Sequence, residues 1–366
     1  MLKNVLLLFV SFIFIFSCEI GDNPVEDNSL STTTENDTQT ENGESDEENQ
    51  ESTTTLPTIT KVGTITSDET WEEGNIYIIS RDLDVEAILT IEPGVIIKIG
   101  RDVTFRTSET GKIIADGTSD KRITFTSTYS DLGGDTDGHS YDQYKGVWED
   151  ISIDTTDNLF NYCTFEYADE AIKQSSNSDP YKITITNSIF RENNTGISIK
   201  YNTSTESVVD NNRLYSNTYP MMLDGTFDIG NTNTFTKEDG ITTNQYQRIS
   251  LYSFGTITID RSVSFSETEV PYYTIAPTEI NNNAILTIAN GAKFVVGSGT
   301  TIYIETGSDL IITDGGAITI SMDTNYDGTS VIDSSYYWKG IKNGTSSSSP
   351  YRENVTGAYY SENSSI

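Results

Sequence analysis

The chain has 366 residues, a formal net charge of −33 and 35% hydrophobic residues. That length holds one large domain or two ordinary ones. The charge argues against a nucleic-acid surface, where Lys and Arg must neutralise phosphates, and against other polyanions unless a divalent cation bridges the two. Abundant Tyr, Thr, Asn, Ser, Gly and Asp suit β-structure with many turns.

Residues 1–17 read as a targeting signal. Met1-Leu2-Lys3-Asn4 is a short basic start, and Val5 to Phe16 is an apolar run too short to span a bilayer as a helix. Ser17-Cys18 follows. The stretch Ile15-Phe16-Ser17-Cys18 resembles a bacterial lipobox, with Ile in place of the usual Leu and a bulky Phe16. The resemblance implies cleavage before Cys18 and acylation of that cysteine. Acyl chains hold a protein to a membrane at about 0.8 kcal/mol per buried CH₂. The competing reading is an ordinary secretory signal with an incidental Cys. With Cys18 acylated, Cys163 has no cysteine left to pair with. It sits in NYCTF, a β-like run, and reads as a small buried hydrophobe.

Residues 18–57 read as an acidic tether. The stretch 19–56 has no Lys or Arg and too little apolar surface to fold. Its random-coil span is roughly 30–35 Å, lengthened by charge repulsion. Glu19 and Asp22, close behind the cysteine, resemble surface-export signals of some diderm lipoproteins. The expected location is the bacterial envelope, lipid-anchored at the outer membrane and facing outward.

From Thr58 onward, short strand-like runs alternate with Gly, Asn and Asp turns, and no helical period is sustained. One block is written twice. AILTIEPG at 87–94 returns as AILTIANG at 284–291, NIYII at 75–79 as PYYTI at 271–275, and ETGKIIADG at 109–117 as ETGSDLIITDGG at 305–316. Each copy then reaches a tryptophan, Trp148 or Trp338. The expected layout is a first opening module with its coils over 58–240 and a second opening module with a tail over 241–366. A duplicated β-rich block points to a repeat architecture.

Between the copies runs a looser repeat. Phe165, Phe190, Leu214 and Phe235 are 25, 24 and 21 residues apart. A period in the low twenties fits one turn of a parallel β-helix, whose apolar residues stack along the axis. Asn187, Asn194, Asn211 and Asn217 are the candidates for side-chain ladders between coils. A β-sandwich is the alternative, but two-residue hairpin signals are few.

Residues 63–127 resemble the right-handed parallel β-helix proteins of the pectin-lyase-like superfold. The carriers are Leu89–Gly94 (LTIEPG), Gly111–Thr118 (GKIIADGT) and Ile123–Ser127 (ITFTS). An Asp/Gly loop and a W-x-G-I-like strand follow, with Asp150 at the Gly position in the first copy and WKGI kept in the second. The resemblance implies an all-β, right-handed parallel β-helix. It implies little about activity, because one superfold hosts many.

The Asp loops carry the most distinctive chemistry. Asp323, Asn325, Asp327 and Gly328 match the first half of a calcium loop, D-x-[DN]-x-[DN]-G, while Ser334 stands where the bidentate Glu belongs. The first copy offers Asp135 and Asp137. Ca²⁺ is the one cofactor expected, with ordinary Asp/Gly turns as the alternative. Trp148 with Tyr144, and Trp338 with Tyr337, are candidate glycan-stacking groups, against packing at the coil edge. A lyase needs a basic residue beside acids, and Lys173 and Lys200 are the only candidates. His139, the single histidine, lies in a Gly/Asp loop that holds geometry poorly.

Two functions follow as expectations. One is a non-catalytic scaffold that displays loops to polysaccharide, envelope or host surface components. The other is a polysaccharide lyase or glycoside hydrolase acting in a groove. For the anchor, Cys18→Ala is expected to abolish incorporation of labelled palmitate in the expressing cell; persistent labelling refutes Cys18 as the acceptor.

Overall fold

The computed structural model describes residues 55–138, 141–174, 181–200, 204–253, 255–297, 299–313, 315–321 and 341–344. Cys18 and most of the expected tether lie outside them, as do Trp338, Tyr337, Asp323, Asn325 and Asp327. The described residues contain 29 strands and no helix. The strands stack in parallel as a β-solenoid of about ten turns. At about 4.8 Å per turn the column is roughly 50 Å long.

The coil has three faces through most of its length. The strand Ile76–Val85 bends and serves two of them. Its first half pairs with Ile96–Ile99, and its second half pairs with Phe105–Thr107. The first face continues through Ile123–Ser127, Cys163–Glu166, Ile189–Arg191 and Arg213–Tyr215. The second face continues through Trp148–Ile153, Ala168–Gln174, Thr195–Ile199, Tyr219–Leu223 and Ile249–Leu251, and onward to Ala317–Ser321. The third is a six-stranded sheet from Glu69–Trp71 to Val208–Asp210.

Alternation along each strand points one set of side chains into the coil. Register then stacks like on like. Phe125, Phe165 and Phe190 are fully buried, with ring centroids 4.9 and 4.6 Å apart in consecutive coils. Leu214 lies next on the same column, in register with Phe190, and Phe235 is buried beyond it. The apolar stack read from the sequence is present.

The turns explain how short strands close a coil. In the three middle coils, each turn from the third face to the first holds one residue in the left-handed region, namely Tyr162, Asn187 and Asn211, with φ of 49°, 52° and 56°. In the same coils each turn from the first face to the second does likewise with Tyr167, Glu192 and Ser216, at 69°, 56° and 57°. The residue immediately after turns inward and bonds to the next coil. Asn217 Oδ1 accepts from Asn193 N and Nδ2 at 3.1 and 3.0 Å. Asn244 Oδ1 accepts from Asn217 N and Nδ2 at 3.2 and 3.0 Å, and Gln247 Oε1 accepts from Asn244. A second ladder runs through Ser188, Asn212 and Asn233.

Of the four asparagines expected in ladders, Asn217 belongs to a buried one, and Asn187 joins an outer one, its Nδ2 donating to Asn161 Oδ1 at 2.8 Å as Asn161 does to Asp116. Asn187 and Asn211 supply the left-handed residue, because asparagine tolerates that conformation better than most side chains. Asn194 points outward and donates to Asp169 at 2.8 Å. The buried ladder lies one residue away in each case, after Asn187 and Asn211 at Ser188 and Asn212, and before Asn194 at Asn193.

The duplicated block folds alike in both copies. Ile88–Ile91 and Ile285–Ile288 have the same alternation of outward and buried residues. Gly94 and Gly291 both take positive φ, at 86° and 79°. Tyr77 stacks on Trp71 and its hydroxyl accepts from Glu72 N; Tyr272 stacks on Phe265 and accepts from Glu267 N. The second copy joins the column one face out of phase. Ile76–Ile79 and Ile96–Ile99 lie on the first face, whereas their counterparts Tyr272–Thr274 and Lys293–Gly297 extend the second. The counterpart of the third-face strands, Ile285–Ile288, enters a separate three-stranded sheet.

Asn217→Ala removes an acceptor and donors from a fully buried chain of bonds. The expected loss is about 2–4 kcal/mol, read from the urea midpoint. Asn211→Gly, at a left-handed position on the surface, is expected to stay within about 0.5 kcal/mol.

Candidate functional site

The second face carries one unbroken outward column. Register places Asp84, Arg106, Ser152, Lys173, Ser198, Met222, Ser250 and Tyr273 side by side from coil to coil. A second column beside it holds Asp150, Glu170, Thr195 and Tyr219. The face therefore changes along the axis from charged groups to aromatic ones.

The charged end is paired. Arg106 Nε lies 3.1 Å from Asp84 Oδ1. Lys173 Nζ lies 2.8 Å from Asp150 Oδ2 and 3.2 Å from Glu170 Oε2. Lys200 bonds to Glu170 Oε1, which also accepts from Ser198 Oγ at 2.7 Å. Burial raises the Asp150 carboxyl above its ordinary value in spite of Lys173. Burial pushes Glu170 the same way, but the bonds from Lys200 and Ser198 prevail and lower it. Burial tends to lower Lys173, yet the two carboxylates hold it above its usual value. The two lysines singled out from the sequence thus meet through Glu170. Lys173 is held as an ammonium, the wrong form for a base that abstracts a proton.

The aromatic end centres on Arg248. Its guanidinium carbon lies 4.1 Å from the ring centre of Tyr273, 5.0 Å from Tyr246 and 5.7 Å from Tyr219. Tyr219 and Tyr246 stack at 4.7 Å. Lys200 Nζ stands 5.2 Å from the ring centre of Tyr252, which links the two ends. Together these groups shape an open cavity of about 200 Å³, whose lining includes Tyr219, Met222, Arg248, Ser250, Tyr252, Tyr273 and Ile275. The sequence reading missed this cluster. A signal was there: Tyr246, Arg248, Ser250 and Tyr252 alternate at the two-residue period that puts side chains on one side of a strand.

A larger groove of about 530 Å³ lies where the second copy changes phase. Ser204, Ser207, Thr226, Ser262, Ser264 and Thr287 give it a hydroxyl-rich wall, with Asp228 and Arg261 among them.

The other expected site residues fall elsewhere. Trp148 is fully buried and its indole N–H donates to Glu166 O at 2.9 Å, so its ring offers no face to a sugar. Tyr144 is exposed, and Tyr129 brings it together with exposed Tyr141, at ring distances of 6.4 and 4.8 Å. Cys163 is buried, and burial pushes its thiol far above the ordinary range, so it is no nucleophile.

The first Asp loop has a cation of its own. Lys98 points outward from Ile96–Ile99, yet loop 128–137 covers it completely. Its ammonium donates to Ser130 O, and to Gly134 O at 2.7 Å. Asp131, Asp135 and Asp137 all act on it through space. Asp135 Oδ1 accepts from Asp137 N at 3.0 Å and Gly138 N at 2.8 Å, which lowers its pKa and marks it as a turn residue. Among the described residues no three His, Cys, Asp or Glu side chains gather to hold a metal ion.

Compared with known proteins, the chain matches no family model, no curated protein and no solved structure.

Lys98→Met removes the cation that fastens this loop. We expect faster proteolytic cleavage within 128–145 and a lower Tm, with neither restored by millimolar calcium. Recovery on adding calcium contradicts the assignment of Lys98 as the loop's counterion.

Proposed function

We propose that the protein is a lipid-anchored envelope lipoprotein whose solenoid binds glycan without turning it over, with the Arg248 cavity on the second face as receptor. One observation carries this reading: three tyrosines surround Arg248 beside an open cavity on an otherwise regular outer face. Aromatic rings stack on the apolar faces of sugar rings, and Tyr and Arg are frequent binding anchors. Tyr219 and Tyr273 stand on strands of the column, and Arg248 and Tyr252 directly flank the strand Ile249–Leu251, which suits recognition. The acylated Cys18 and the acidic tether would hold the solenoid off the outer membrane, where polysaccharide or another surface component is the partner.

A second reading, a glycoside hydrolase, has a different observation in its favour. Asp150 and Glu170 are in register, and their surroundings push their pKa values in opposite directions. Such divergence separates an acid from a base in many enzymes. Against it, Asp150 is only 4% exposed and its carboxylate is engaged by Lys173.

The test is a panel of immobilised polysaccharides. Retention is expected to fall at least tenfold in Arg248→Ala and in Tyr252→Ala, with Tm unchanged and no new reducing or unsaturated ends. Turnover that disappears in Asp150→Asn would replace the binding reading with the hydrolytic one.

A further inference from the structure

The Arg248 cavity has a chemical character that narrows its ligand. Its volume of about 200 Å³ is below the range of pockets that enclose a drug-sized molecule. It has room for a single sugar ring with a substituent, at the end or on a branch of a glycan.

Ser250, Thr274 and Arg248 in the lining are engaged within the protein. Ser250 Oγ accepts from Arg248 Nε at 3.2 Å. Thr274 Oγ1 accepts from Ala276 N at 2.9 Å and donates to Ala276 O at 3.3 Å. The guanidinium is occupied by ring faces and by Ser250. What the cavity offers a ligand is chiefly apolar: Met222, the ring of Tyr252 and Ile275. Ile275 is 65% exposed, although its neighbours on the strand, Tyr273 and Thr274, are buried. A large apolar side chain left in water beside a concavity is a contact waiting for a partner.

A sugar bearing only hydroxyls would leave some of them without partners against such a wall, at a cost of about 1–3 kcal/mol for each buried one. An N-acetyl group also brings an amide N–H and C=O, which the open cavity leaves to water, while its methyl gains from covering Ile275 and Met222. We infer that the cavity is specific for a pyranose with an N-acetyl substituent, its methyl on Ile275 and Met222 and its ring on Tyr252. This rests on the glycan-binding reading and sharpens it to a class of sugar.

The whole chain is titrated with N-acetylglucosamine and, separately, with glucose, and saturation-transfer NMR is followed for each. The N-acetylated sugar is expected to bind at least tenfold more tightly, with its strongest transfer at the acetyl methyl. Ile275→Asn, at an exposed position, is expected to erase that preference with Tm unchanged, and Met222→Ser to reduce it. Equal binding of the two sugars, or a preference that survives both variants, overturns this inference and leaves the glycan reading standing. No transfer to either sugar, together with polysaccharide retention that Arg248→Ala does not affect, overturns both.

Discussion

Coil-to-coil register is the constraint on which everything else in this molecule depends. Parallel strands, most of them three to six residues long, hold little by themselves, and a slip of one residue would turn every buried side chain outward. The buried side-chain ladders prevent that slip. Asn193 and Asn217 each bond to the next coil through both backbone and amide, and Asn244 ends the ladder on Gln247. A displaced coil would leave those amides unpaired in a dry interior, where an unmade bond costs far more than a made one gains. A left-handed residue stands just before Asn193, Asn212 and Asn217 and turns the chain so that each asparagine can face in.

Register also builds the outer surface. Once Ile172 is fixed over Ile151 and beneath Ile197, Lys173 and Ser198 have no choice of neighbour. A register shift between Glu170 and Ile172 brings Glu170 level with Asp150 and creates the charged cluster. The phase change of the second copy has a similar effect on a larger scale. Because Tyr272–Thr274 continues the second face, Tyr273 reaches Arg248. Had the second copy repeated the first in phase, that tyrosine would have lain on a different face.

Much of the fold is legible in the sequence because stacking leaves a period. Phe165, Phe190 and Leu214 repeat at the length of a coil, and the two AILTI segments fold alike. The ladder was misplaced by one residue, since Asn193-Asn194 and Asn211-Asn212 are pairs in which either member satisfies the pattern. Only the backbone decides which of them turns in. The site was harder to read. Lys98 is a single cation amid many Asp residues, and nothing local shows that a loop some 35 residues on will fold over it. Trp148 stands out by residue type, but burial is a tertiary property. The Arg248 cluster draws on Tyr219, Tyr246 and Tyr273 from successive coils, and it forms only because the second copy is rotated. No pairing of the two copies by sequence reveals that rotation.

The central claim is that this rotated junction makes a sugar-binding cavity around Arg248. A crystal structure grown with an oligosaccharide ending in N-acetylglucosamine tests it most directly. Density for one sugar ring over Tyr252, with its acetyl methyl against Ile275, is expected. Density confined to the hydroxyl-lined groove at Ser204 and Ser264, or none at a saturating concentration, would contradict it.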